Sequence, residues 1–236
     1  MTEYLHNIAS GRIFILGNGP SLILQRTLLE RLQDEATFCC NGFPFWEPLP
    51  FIPTYYGVSD MHERKLVDKF SWPALDMRKF QVGWYPNEHH ELFEWVQKDP
   101  NGSQVKSSGF QGLGDTLPPL PTGRTTPLTL AQLAAWMGYR EFYFLGVEQT
   151  RGYAHDPSAT WSITKRSEFP MDKNPKYRLS VQDCFIRARA DIEEAGGSIF
   201  DCTPGGLLNE TGSEELRRGV SWREVLEYRE LSEVLG

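Results

Sequence analysis

Residues 17–21 read Gly-Asn-Gly-Pro-Ser. They follow the apolar run Ile13–Leu16 and precede Leu22, Leu24, Leu28, Leu29 and Leu32, which recur at helical spacing. A strand, a glycine turn and a helix in that order point backbone N–H groups and a helix N-terminus at one spot, which suits an anion such as phosphate. Glycines let a ligand come close to the backbone. The turn departs from the dinucleotide fingerprint, because Leu22 stands where its third glycine belongs. The second apolar run ends in Cys40-Asn41, not in the acid that would hold a ribose, and no Gly-Lys-Ser/Thr follows to make a P-loop. By itself the turn reads either as a ligand cradle or as a tight turn and nothing more.

Other residues have chemistry of their own. His155 lies in Arg151-Gly-Tyr-Ala-His-Asp-Pro. An imidazole titrates near neutral pH and suits a general base, the alternative being a solvated loop histidine. Asp60, Glu148 and Asp156 are oxygen donors for a divalent ion, or else helix caps and surface charges. Arg124, Arg151, Lys165, Arg166, Lys173, Lys176 and Arg178 give two irregular stretches a basic cast that fits an anionic ligand, or a solvated face.

The elements that must position these groups alternate. Strands are predicted at Arg12–Leu16, Thr37–Cys40, Thr54–Ser59, Phe80–Trp84, Glu141–Gly146 and Ser198–Cys202, several as continuous apolar runs of the doubly buried kind. Helices are predicted at Ser21–Gln33, Met61–Phe70, Glu88–Lys98, Pro127–Met137, Ser180–Ala195 and Ser221–Leu235. Thr126-Pro127 and Ser221-Trp-Arg-Glu224 are helix-start signals. This alternation predicts a single α/β domain over 1–236, Rossmann-like, with a mostly parallel sheet and helices on both faces. The irregular segments 99–124 and 149–177 read as lids near the carboxyl ends of the strands, where such sheets bind ligands.

Composition narrows the function. The chain has 236 residues and a net charge of −7, which argues against general nucleic-acid binding. Its apolar runs are too short for a membrane helix, and its first residues carry no secretory pattern. Cys39, Cys40, Cys184 and Cys202 have no Cys-x-x-Cys spacing. A reduced cytoplasmic protein is expected, with a homo-oligomer open.

The order "GNGPSL", "FCCNGF", "YYGVSD", "TTPLTLAQLAAWMGYREFYFLGVE", "CTPGGLL" resembles the small bacterial sialyltransferases that use CMP-sialic acid. It is also similar to the core domain of the motility-associated flagellin glycosyltransferases and to an archaeal hydroxymethylpterin pyrophosphokinase. The resemblance runs from about residue 12 to 210. It implies that Gly17, Asn18, Gly19 and Ser21 lie against a nucleotide's ribose and phosphate, and that Asn41 is a cytidine-side ligand. Thr125 and Thr126 match a pair that opens the long helix, where hydroxyls suit a phosphate or a sugar carboxylate. Tyr153 matches a tyrosine that assists the departing phosphate. Thr203, Gly205 and Gly206 fall beside the same pocket.

Two departures shape the expectation. The sialyltransferase base histidine has no counterpart in "NPKYRLSVQDCF", which leaves His155 or Asp60 as the base. The family's asparagine after strand three is replaced by Ser59-Asp60, with Ser59 on the nucleotide side and Asp60 matching the acidic position of the flagellin-transferase and pyrophosphokinase branches. The reading is a glycosyltransferase-like enzyme that takes a CMP-nonulosonate donor and an unidentified acceptor, without a cofactor. The alternatives are a magnesium-dependent diphosphokinase using ATP, with Asp60 as a metal ligand, and a nucleotide-binding module without turnover.

Overall fold

A computed structural model of the chain describes residues 3–59, 76–83, 93–100, 104–148, 175–206, 208, 209, 211 and 225–236. Among the described residues eight strands form one parallel sheet: β1 Arg12–Leu16, β2 Thr37–Cys40, β3 Tyr55–Val58, β4 Arg78–Gly83, β5 Glu94–Gln97, β6 Glu141–Leu145, β7 Ser198–Asp201 and β8 Glu227–Tyr228. Their order is β5-β4-β3-β2-β1-β6-β7-β8. The chain steps outward from β1 through β5, returns to the centre at β6, then steps outward the other way. The order therefore reverses between β1 and β6. In open parallel sheets the ligand crevice lies beyond the carboxyl ends of the strands at such a reversal.

The described helices are α1 Ser21–Leu24, α2 Arg26–Leu29, α3 Val105–Ser108, α4 Thr126–Met137, α5 Pro175–Glu194 and α6 Leu231–Leu235. Strand alternation divides the core. Ile13, Ile15, Phe38, Cys40, Phe142 and Phe144 face α4 and α5, while Phe14, Leu16, Cys39, Tyr143 and Leu145 face Leu22, Leu29 and Leu231 on the other side. Helix α4 is buried from Pro127 to Met137, so it is apolar nearly all round, as a helix enclosed on every side must be. It lies across β1, β2 and β3. The four cysteines are buried and form no disulfide. Among the described residues no helix is long and apolar enough to cross a membrane.

Several predicted elements differ. Ser21–Gln33 is not one helix: it breaks at Gln25, continues as α2, and ends in a 3-10 segment, Glu30–Asp34. The Gln25 amide turns inward to donate to the Cys202 carbonyl at 3.0 Å, which ties the break to β7. The carboxyl half of the predicted helix Glu88–Lys98 is strand β5, an edge strand whose Glu94 pairs with Arg78 of β4. Trp95 and Val96 favour a pleated surface over a helix. The predicted helix Ser221–Leu235 is, from 225 onward, the short strand β8 and then α6. The predicted helix Met61–Phe70 and most of segment 149–177 lie outside the described residues. Within residues 104–124, Val105, Phe110 and Leu120 anchor the segment in the core on the α4–α5 side, while much of the rest is exposed.

Candidate functional site

Beyond Leu16 the glycine turn continues the β1–β6 ladder. Gly17 N–H donates to the Leu145 carbonyl at 2.8 Å and Gly19 N–H to the Gly146 carbonyl at 2.9 Å. The two turns touch so closely that a Cβ on Gly17 would stand 2.2 Å from the Gly146 oxygen. The first glycine is therefore fixed by backbone packing.

The second glycine is fixed by a side chain from after β6. Glu148 is only 4% exposed. Its Oε1 accepts the Ser21 N–H at 2.7 Å and its Oε2 accepts the Ser21 hydroxyl at 2.9 Å. A Cβ on Gly19 would fall 1.9 Å from Oε2. The place where a helix N-terminus would greet a phosphate thus holds the protein's own carboxylate. Burial raises the Glu148 pKa, and the bonds from Ser21 oppose that rise. Asn18 is likewise engaged: its Nδ2 donates to the Cys40 carbonyl at 3.0 Å and so ties the turn to the end of β2. Gly17, Asn18, Gly19 and Ser21, which the resemblance makes ligand contacts, each have a hydrogen-bond partner within the protein.

On the other side of the turn the carboxyl ends of β2 and β3 meet the start of α4. Ser59 Oγ donates to Thr126 Oγ1 at 2.9 Å, and Asn41 Nδ2 lies 3.5 Å from the same oxygen. The Thr125 hydroxyl caps the helix by accepting the Leu128 N–H at 3.3 Å. Asn41 has φ +50°, and Arg124, just before the cap, has φ +63°. Left-handed backbone at non-glycine residues is uncommon and clusters at functional sites. The Asn41 Oδ1 is buried with no hydrogen-bond partner among the described residues. Tyr56 holds the Asn41 backbone by donating its hydroxyl to the Asn41 carbonyl at 2.8 Å. Asn41, Ser59, Thr125 and Thr126, far apart in sequence, are brought together.

Thr203, Gly205 and Gly206 follow β7 and belong to a buried network. Thr203 Oγ1 accepts the Val147 N–H at 3.2 Å. Asp201, fully buried, accepts the Thr203 N–H at 2.9 Å and the Asn209 amide at 2.7 Å. Asn209 in turn accepts the Thr211 hydroxyl at 2.6 Å, and Thr211 accepts the Gly205 N–H at 2.8 Å. Burial, with a smaller push from Glu148, raises the Asp201 pKa to about 7. Sequence reasoning missed Asp201; the signal was an acid closing the half-apolar strand Ser198–Asp201. Glu148 was read as a metal donor, or else as a helix cap or surface charge, and not as the partner of Ser21. Among the described residues no three His, Cys, Asp or Glu side chains gather as a metal site. Asp60, Tyr153 and His155 lie outside the described residues.

Three solved structures are similar to the chain. A Maf glycosyltransferase from Magnetospirillum magneticum AMB-1 is 16% identical, with a TM-score of 0.49 over 84% of this chain and 32% of its own. The chain thus spans about a third of that protein. The sialyltransferase CstII from Campylobacter jejuni, in complex with a substrate analogue, cytidine-5'-monophosphate, is 17% identical, with a TM-score of 0.43 over 84% of this chain and 82% of its own. The sialyltransferase CST-II in complex with a trisaccharide acceptor and CMP is 15% identical, with a TM-score of 0.43 over 91% of this chain and 87% of its own. No family model matches the sequence, and no curated protein matches it.

Proposed function

We propose that the chain is a transferase that takes a nucleotide-activated sugar, with a CMP-nonulosonate as donor. The observation that carries this reading is the convergence of Asn41, Ser59 and Thr126 at the N-terminus of α4, beside the reversal of strand order. The twelve-residue helix directs its positive end at the cleft, which favours a phosphate or a carboxylate there. The buried Asn41 Oδ1 has no donor among the described residues. The exocyclic amine of cytosine is such a donor, whereas uracil offers an acceptor at the corresponding position. Displacement at the anomeric carbon then releases CMP. Tyr153 steadies the leaving phosphate and His155 takes the proton of the acceptor hydroxyl, with Asp60 as the other candidate base.

The test is incubation with a CMP-nonulosonate and measurement of released CMP, with and without candidate sugar acceptors. Release that depends on the protein and is absent with a UDP-sugar supports the reading. Release of nothing from any CMP-sugar, beside magnesium-dependent AMP formation from ATP, overturns it.

A further inference from the structure

In doubly wound nucleotide-binding sheets the first strand–turn–helix unit receives a pyrophosphate on its helix N-terminus. In this chain that position is filled from within. The Glu148 carboxylate takes both donors of Ser21 and lies against the Cα of Gly19. A second carboxylate, Asp201, is buried on the same side and interacts with Glu148. The opposite side of the cleft has the start of α4 with Thr125 and Thr126. The carboxyl ends of the strands are thus unlike: a helix N-terminus stands at the β2–β3 ends, and the Glu148 carboxylate, with Asp201 buried behind it, at the β6–β7 ends.

We infer that Glu148 is a specificity-determining residue that fits this cleft to a nucleotide bearing one phosphate and disfavours one bearing two or three in line. The inference rests on the reading of the cleft as a nucleotide site. One phosphate is accommodated on the α4 side. A further phosphate reaching across the glycine turn meets a fixed, buried charge of its own sign, and like charges repel most where water is excluded. The carboxylate cannot swing aside without leaving the Ser21 N–H unpaired. The chemical class selected is therefore a nucleoside monophosphate and its esters, as opposed to nucleoside diphosphate sugars.

The experiment is calorimetric titration of CMP, CDP and CTP, in chelator so that magnesium does not mask charge. The proteins are the wild type, Glu148→Gln and Ser21→Ala. The glutamine keeps the shape and still offers an acceptor, and the serine hydroxyl can both donate and accept. Wild type is expected to bind CDP and CTP about tenfold or more weakly than CMP, Glu148→Gln to narrow that ratio to about threefold, and Ser21→Ala, which keeps the charge, to retain it. Equal affinity of wild type for CMP and CDP overturns the inference whether or not the variants fold. An unchanged ratio in Glu148→Gln does the same. Failure of CMP itself to bind ends the nucleotide reading and this inference together, whereas CMP binding without discrimination ends the inference alone.

Discussion

Ser21 and Glu148 stand 127 positions apart, yet the serine gives the glutamate both its backbone N–H and its hydroxyl. This pair joins the turn after β1 to the turn after β6 across the reversal of strand order. Removing the carboxylate leaves a buried N–H without a partner. Glu148→Ala is expected to lower stability by about 1–3 kcal/mol, and Glu148→Gln by less, in urea denaturation. Equal stability of Glu148→Ala and wild type contradicts the role of the pair.

The two glycines of the turn are expected to fail for different reasons. Alanine at 19 collides with the Glu148 carboxylate, and alanine at 17 collides with the Gly146 backbone. Gly19→Ala should therefore cost markedly less in a Glu148→Ala background than in wild type, with a coupling of about 0.5–3 kcal/mol. Gly17→Ala should cost the same in both. A double-mutant cycle by chemical denaturation distinguishes them, and strict additivity at position 19 rejects the explanation.

The sheet was largely legible in the sequence, and the exceptions have local causes. Ile13–Leu16, Phe38–Cys40 and Phe142–Leu145 are doubly buried and read as continuous apolar runs. Glu94–Gln97 is an edge strand with two polar ends, so the charges around it gave a helical reading. Gln25 interrupts a regular leucine pattern only because its amide finds Cys202, a contact no spacing reveals. The site was half legible. Thr126-Pro127 announces a helix start, and its meeting with Asn41 and Ser59 follows once the strand order is known. That Glu148 folds back onto Ser21 is a tertiary fact with no local signature.

Asp201 makes stability depend on pH in the reverse of the usual carboxylate sense. Its folded pKa, about 7, lies above the ordinary value of 3.8. Between those limits the native state holds a proton that the unfolded state has released. Raising the pH through this window therefore destabilises the fold, by at most about 1.4 kcal/mol per unit. Denaturation midpoints from pH 5 to 8 should fall with pH in wild type and flatten in Asp201→Asn. A wild-type midpoint that rises across the window contradicts a buried, proton-holding Asp201.

His155→Ala is expected to keep nucleotide affinity and to slow transfer by about 10²–10⁴-fold, the usual loss when a general base is removed. Steady-state kinetics on an identified acceptor check this. Full activity in His155→Ala moves the role to Asp60, whose asparagine variant is the companion measurement.

Thr126 is the hub of the cluster, accepting from Ser59 and lying within reach of Asn41. Thr126→Val removes the hydroxyl and keeps the shape. It should weaken CMP binding about five- to tenfold, the equivalent of about 1–1.5 kcal/mol. Calorimetry reads the change directly, and unaltered affinity places the phosphate elsewhere.

The most direct test of a cytidine-nucleotide site at the α4 N-terminus is the thermal midpoint of the wild-type protein with CMP, UMP, GDP and ATP, each with and without magnesium. A ligand at 100 times its dissociation constant adds about 2.7 kcal/mol to stability. For a chain of this size that is a shift of about 5–10 °C. CMP is predicted to give such a shift without magnesium, and UMP a smaller one. A shift with ATP that requires magnesium, beside none with CMP, contradicts the central claim.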